Sequence, residues 1–218
     1  DTNDFELNFS QQYRLPFYQT MLEQLMDRNL IFACTCSRKQ NAISGNPDSY
    51  PGTCLHKQLP LDTRGAAWRL KTAPSMVQVN TINGMEKHML PATMQHFVVR
   101  KKDLMPAYQL TSLTDDLHFG VDMIVRGADL FPSTLAQLYL ADLLGEEQFL
   151  QTVFYHHPLI ADTNGIKLSK SAGATSVQYK IHEGATRTTL LNEIAAYAGV
   201  NYCNDWQMLC AQIAAKMR

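Results

Sequence analysis

Val121-Asp122-Met123-Ile124-Val125-Arg126-Gly127-Ala128-Asp129-Leu130 is the stretch that decides the fold class. Its opening, Val121 to Val125, is short, apolar and rich in β-branched residues, the composition of a strand buried in a parallel sheet. A helix is predicted next, with Ser133 as its N-cap, its end near Leu144, and Gly145 closing it. Val153 to Ile160 reads as a second strand, interrupted by Pro158. Strand, helix and strand in that order predict an α/β architecture. Past the Asn164-Gly165 turn, residues 185–198 and 205–217 read as two amphipathic helices separated by Gly199.

Working towards the N-terminus, residues 14–30 predict a helix: Leu15, Tyr18, Leu22, Leu25 and Met26 recur at helical spacing, and Pro16 suits a first turn. Three strand-like segments lie between, Ala66 to Lys71, Met76 to Ile82 and Phe97 to Arg100. The two that flank Pro74-Ser75 are expected to form a hairpin, and Asn83-Gly84 is a further turn signal. Ser44 to Pro60 is rich in Gly, Pro, Asn, Asp and Ser and reads as a long loop that something else must hold in place. The expected organisation is a helical part of the core over 1–30, an insertion over 31–105, and the second half of the core with C-terminal helices over 106–218.

The 218 residues are 45% hydrophobic and 18% charged, ordinary values for a globular protein. No apolar run reaches the roughly 18 to 20 residues that span a bilayer, and no signal sequence opens the chain, so no membrane partner is expected. The formal charge of −1 does not advertise a nucleic-acid partner, although a local basic patch works inside a neutral total. The five cysteines are an odd number, which suits a cytoplasmic protein with a metal site better than a disulfide scaffold. Cys203 and Cys210 are expected to be buried or half-buried thiols of a terminal helical region.

Cys34, Cys36 and Cys54 supply three thiols, and a fourth donor would complete the ligand count of a closed structural zinc site. A loop with little apolar content gains from closing around a metal. His56 is the better fourth donor on chemistry alone; Tyr50, whose phenol would have to lose its proton, is the other candidate. Further on, Ile166-Lys167-Leu168-Ser169-Lys170-Ser171 forms a cationic loop able to neutralise charge on phosphate oxygens.

Lys167-Leu168-Ser169-Lys170-Ser171 resembles the second signature of class I aminoacyl-tRNA synthetases, usually written KMSKS. Ala107-Tyr108-Gln109-Leu110 with Asp115-Asp116, and then Ile124 to Leu130, resemble the core shared by glutamyl- and glutaminyl-tRNA synthetases. Cys34-x-Cys36 with Tyr50-Pro51-Gly52-Thr53-Cys54 resembles the zinc module of the glutamyl-queuosine tRNA(Asp) synthetases. The resemblance runs over roughly residues 5–175, in one order and at similar spacing.

It implies a class I, Rossmann-like nucleotide-binding core, here its C-terminal part, with a zinc-binding insertion. It also implies a two-step reaction: glutamate and ATP, the latter with magnesium, form glutamyl-adenylate, and the glutamyl group passes to queuosine in the anticodon loop of tRNA(Asp). Carried over, Tyr108 and Arg126 hold glutamate, Lys170 contacts the ATP phosphates with Lys167 assisting, and Cys34, Cys36, Tyr50 and Cys54 hold zinc. An arginine fork near the end of a parallel strand is a natural carboxylate site on physical grounds as well. Asp129 is expected to orient Arg126 or nearby backbone, and His156 and His157 to pack or line the pocket.

The other class I signature, a His-Ile-Gly-His-like motif, is not found, so the 218 residues alone are expected not to activate glutamate at a useful rate. Two other readings remain at this point. A discrete glutamyl-tRNA synthetase charging tRNA(Glu) is one. A non-catalytic zinc-stabilised RNA-binding module, with Arg100-Lys101-Lys102 against phosphates, is the other.

Overall fold

The computed structural model describes residues 8–37, 49–159 and 176–216. They fall into two compact units divided between His157 and Pro158.

The first unit opens with a 3-10 turn, Gln11–Arg14, running into helix α1, Leu15–Asp27, with proline in its first turn. Tyr18, Met21, Leu22 and Leu25 are buried, at the helical spacing that puts them on one face. Leu15 and Met26, expected on that face, are exposed. The elements that follow are β1 (Ile31–Cys34), β2 (Ala67–Leu70), β3 (Met76–Thr81), β4 (Gly84–Met89), β5 (Val98–Arg100), α2 (Tyr108–His118), β6 (Met123–Gly127), α3 (Phe131–Leu144), α4 (Glu147–Leu150) and β7 (Val153–His157).

The strands form two sheets. β1, β2 and β5 make an antiparallel sheet in the order β1-β2-β5. The other sheet has the order β4-β3-β7-β6, with β3 and β6 parallel to β7 and β4 antiparallel to β3. Residues 31–105 are therefore divided between sheets: β3 and β4 belong with the α/β unit β6-α3-β7. The hairpin expected across Pro74-Ser75 does not form, because β2 and β3 lie in different sheets. The real hairpin is β3-β4, whose register closes at Thr81↔Gly84, beside the Asn83-Gly84 signal.

Two further expectations are corrected. Among the described residues β6 is at the edge of its sheet, and Met123 and Val125 are 50% and 60% exposed, where the apolar run predicted full burial. Ser133 does not cap α3. The helix starts two residues earlier, with Pro132 in its first turn, and Ser133 is buried within it, accepting a hydrogen bond from Gln109 Nε2 at 3.1 Å. Gly145 closes α3 as expected, with φ 81°.

The core lies between α1, α2, α3 and both sheets, and includes Tyr18, Leu70, Val79, Leu110, Leu138 and Phe154. One polar group ties its N-terminal side together. The Asp115 carboxylate on α2 accepts from Arg14 Nε at 2.6 Å, Tyr18 Oη at 2.5 Å and Gln11 Nε2 at 2.7 Å. The second unit holds α5 (Val177–His182), α6 (Arg187–Ala198) and α7 (Trp206–Lys216). Ser176 and Thr186 cap the first two by accepting from the backbone N–H groups of Tyr179 and Thr189. Leu191, Ala195, Cys203 and Leu209 form its small core, whereas Cys210 is exposed, contrary to expectation. Among the described residues, no helix is long and apolar enough to cross a membrane.

Candidate functional site

Arg126 occupies the fourth position of β6, near the carboxyl end of a parallel strand, opposite His156 of β7. This is where open α/β sheets bind ligands. Its side chain is half-buried over the Phe154 ring, 5.3 Å from the centroid. Nη2 donates to Gln137 Oε1 at 2.9 Å, while Nε is buried with no hydrogen-bond partner among the described residues. Burial lowers the guanidinium's pKa, and the neighbouring Tyr108 and Asp116 side chains work against that by favouring its charge. Tyr108 begins α2, 52% exposed, so the structure brings the two residues expected to bind glutamate together. Tyr108 also lines a cavity of about 780 Å³ with Gln11, Tyr18, Lys101, Met105 and Thr111.

Sequence reasoning did not single out Gln137 or Asp116 as partners of Arg126. Gln137 is fully buried in α3, and its Nε2 also lacks a hydrogen-bond partner among the described residues. A lone glutamine in the apolar run Leu135-Ala136-Gln137-Leu138 was the available signal. Tyr108, Ser112 and Asp116 follow at intervals of four on α2 and so share a helical face. Burial raises the Asp116 carboxyl to about 6, against the pull of Arg126. His156 packs as expected: Nε2 lies 2.7 Å from Thr134 Oγ1, its ring stacks on Phe154, and burial lowers its pKa.

A titration follows from Asp116. A carboxyl whose folded value stands above its ordinary 3.8 contributes stability below about pH 4 that is lost as pH rises to about 6. Asp116→Asn is expected to remove this loss, raising stability at pH 7 relative to the parent by on the order of 1 kcal/mol once solvent screening is allowed for. Urea midpoints measured from pH 4 to 7 check it, and parallel curves for parent and variant would count against it.

The second constellation stands at the end of β1. The Sγ atoms of Cys34, Cys36 and Cys54 all lie within 4.8 Å of one another. A tetrahedral zinc with bonds of about 2.3 Å spaces its sulfurs about 3.8 Å apart, and Cys36 Sγ and Cys54 Sγ are 3.5 Å apart. Tyr50 Oη is 3.4 Å from Cys34 Sγ and accepts from the Cys54 backbone N–H at 2.8 Å. The phenol is thus aimed into the thiol group, while His56 is exposed and stands outside it. The donor set fits a structural zinc ion. Burial pushes the Cys36 thiol up to about 11. Burial pushes Cys54 the same way, but hydrogen bonds from the Thr35 backbone and from Cys36 outweigh it and bring Cys54 to about 7. The Tyr50 phenol is raised by burial and by its contact with Cys34.

The basic trio proposed for phosphates is already partnered. Arg100 stacks on Trp68 at 3.6 Å, Lys101 pairs with Asp103 at 3.2 Å, and Lys102 donates to the Thr35 carbonyl at 2.7 Å. Lys167 and Lys170 lie outside the described residues.

Residues 9–210 match the family model of the class I tRNA synthetases (E and Q), catalytic domain. The chain belongs to that family. Within it, the chain is 40% identical over 162 residues to a glutamyl-Q tRNA(Asp) synthetase of Pseudomonas aeruginosa, covering 74% of this chain and 53% of that protein. It is 35% identical over 175 residues to one of Acinetobacter baylyi, covering 80% and 57%. The chain therefore spans about half the length of the curated relatives it matches. A solved glutamate tRNA ligase of Elizabethkingia meningosepticum, in complex with its amino acid, superposes with a TM-score of 0.58 at 20% identity, covering 76% of this chain and 37% of that one. That likeness carries the synthetase α/β fold.

Proposed function

We propose that this chain carries the glutamate pocket and metal module of an enzyme that activates glutamate with ATP and transfers it to queuosine in tRNA(Asp). The observation that carries the reading is the half-buried Arg126 guanidinium beside Tyr108, with a buried N–H that has no hydrogen-bond partner among the described residues. A dry, partly unsatisfied fork is suited to a carboxylate. The names of the relatives at 35% and 40% identity support glutamate as the amino acid and queuosine in tRNA(Asp) as the acceptor.

In this reading Arg126 and Tyr108 bind and orient glutamate, and Asp116 and Gln137 hold the arginine in place. Lys170, with Lys167 assisting, meets the phosphates of magnesium-bound ATP. Cys34, Cys36, Tyr50 and Cys54 hold zinc, which supplies a structural cross-link for a loop with little core of its own.

The test uses the protein expressed from its complete reading frame, with labelled glutamate, ATP and magnesium. Label is expected on tRNA(Asp) carrying queuosine and not on tRNA(Asp) lacking it. Label at the 3′ end of tRNA(Glu), or on neither acceptor, overturns the reading. The second outcome combined with salt-sensitive tRNA binding would favour a non-catalytic RNA-binding module.

A further inference from the structure

The thiol–phenol group has a cation built against it that the zinc reading does not use. Arg69, on β2, sets its guanidinium carbon 3.9 Å from the centroid of the Tyr50 ring. Nη1 donates to the His96 carbonyl at 2.8 Å, and Nε is buried without a hydrogen-bond partner among the described residues. His96 stands edge-on to the same ring at 6.2 Å, and Phe32 lies against it at 6.1 Å. His96 is itself fixed: its φ of 50° is uncommon for a non-glycine residue, and its Nδ1 accepts from the Thr72 backbone N–H at 3.2 Å. The ring of Tyr50 is therefore packed among Arg69, His96 and Phe32, with its oxygen directed at Cys34 and the Cys54 N–H.

We propose that Arg69 is a positioning residue of the metal site, whose guanidinium, stacked on Tyr50, holds the phenol oxygen as the fourth donor. The proposal rests on the Cys34, Cys36, Tyr50, Cys54 reading. A dication bound by three thiolates is already net negative before a fourth donor is counted, so a fixed cation over the donor ring also offsets charge in a half-dry setting. The guanidinium does both jobs at once, lying over the ring while anchored to the His96 carbonyl. Outer partners of this kind commonly change metal affinity by about 10–100-fold.

The experiment measures zinc affinity by competition with a chromophoric chelator and melting with and without zinc, for the parent, R69Q, R69M and R69K. Visible spectra of the cobalt-loaded proteins are compared with that of Y50F. Loss of about 10–100-fold in zinc affinity is expected for R69Q and R69M, with the metal-free melting midpoint unchanged. Their cobalt bands should move towards that of Y50F, and R69K, which keeps the charge but not the planar fork, should recover only part of the affinity. Affinities of R69Q and R69M within threefold of the parent would sink the proposal. So would parent-like cobalt bands in both, or an R69K no better than R69Q. If neither neutral variant folds without metal, or both lose as much stability metal-free as loaded, Arg69 is a packing residue and the proposal falls. A parent that binds no zinc rejects the metal reading itself, which is a different result from parent and R69Q binding it equally.

Discussion

Asp115→Ala is expected to lower the unfolding free energy of the first unit by about 3–5 kcal/mol, the cost of stranding a buried charge. Arg14, at 4% exposure, would lose its only carboxylate partner among the described residues and keep the Ser10 and Phe9 carbonyls and the Phe119 ring. The Tyr18 hydroxyl, fully inside the core, would lose its acceptor in the same step. The carboxylate holds the 3-10 turn, α1 and α2 together, so the loss is expected to be cooperative with that whole side of the core. Denaturant midpoints check it, and a loss under about 1 kcal/mol would mean that water or a rotated Arg14 replaces the contact. The pH dependence has a definite sign. Burial works against the Asp115 charge, but hydrogen bonds from Arg14, Tyr18 and Gln11 outweigh it and hold the carboxyl below its ordinary 3.8. Its stabilisation is therefore present above about pH 4 and lost as pH falls further, and the alanine variant should lack that acid-side loss.

The parts of the molecule legible in the sequence are those whose signal is local. Pro16 and Gly145 mark helix ends through backbone geometry alone, and both helices stand where those residues place them. Cys34, Cys36 and Cys54 were legible as a group because spacing and thiol chemistry are properties of the chain itself, and their sulfurs do converge. What escaped depends on sheet order. Val125 is as β-branched as any buried strand residue, yet β6 is an edge among the described residues, and no residue of the strand records which neighbours it has. Pro74-Ser75 and Asn83-Gly84 are both turn signals, and only the pairing of β3 with β4 rather than β2 chooses between them. Arg69 and Asp115 escaped for the same reason. Each acts on a partner 19 or more positions away in the chain, Tyr50 for one and Arg14 and Tyr18 for the other. Tyr108 and Arg126 were found by resemblance, whereas Gln137 and Asp116, which complete their surroundings, emerge only when α2, α3 and β6 are assembled.

Arg126→Lys is expected to reduce glutamate-dependent pyrophosphate exchange about 10²–10³-fold in the protein expressed from its complete reading frame, the range for removing one partner of a buried, hydrogen-bonded charge pair. The charge is kept, so the substitution isolates geometry. A lysine ammonium is a point donor, and it cannot both reach Gln137 Oε1 and present a second N–H in the plane of a carboxylate. A lysine turned to the carboxylate would also leave the buried Gln137 with neither polar atom partnered among the described residues. The effect should fall on the KM for glutamate and leave the KM for ATP within a few-fold, because Arg126 is assigned to the amino acid and not to the phosphates. An ATP KM that rises with the glutamate KM would mean that the strand end had shifted as a whole. Exchange within fivefold of the parent would show that the carboxylate is held elsewhere, and the pairing of Arg126 with Tyr108 would then be a feature of packing.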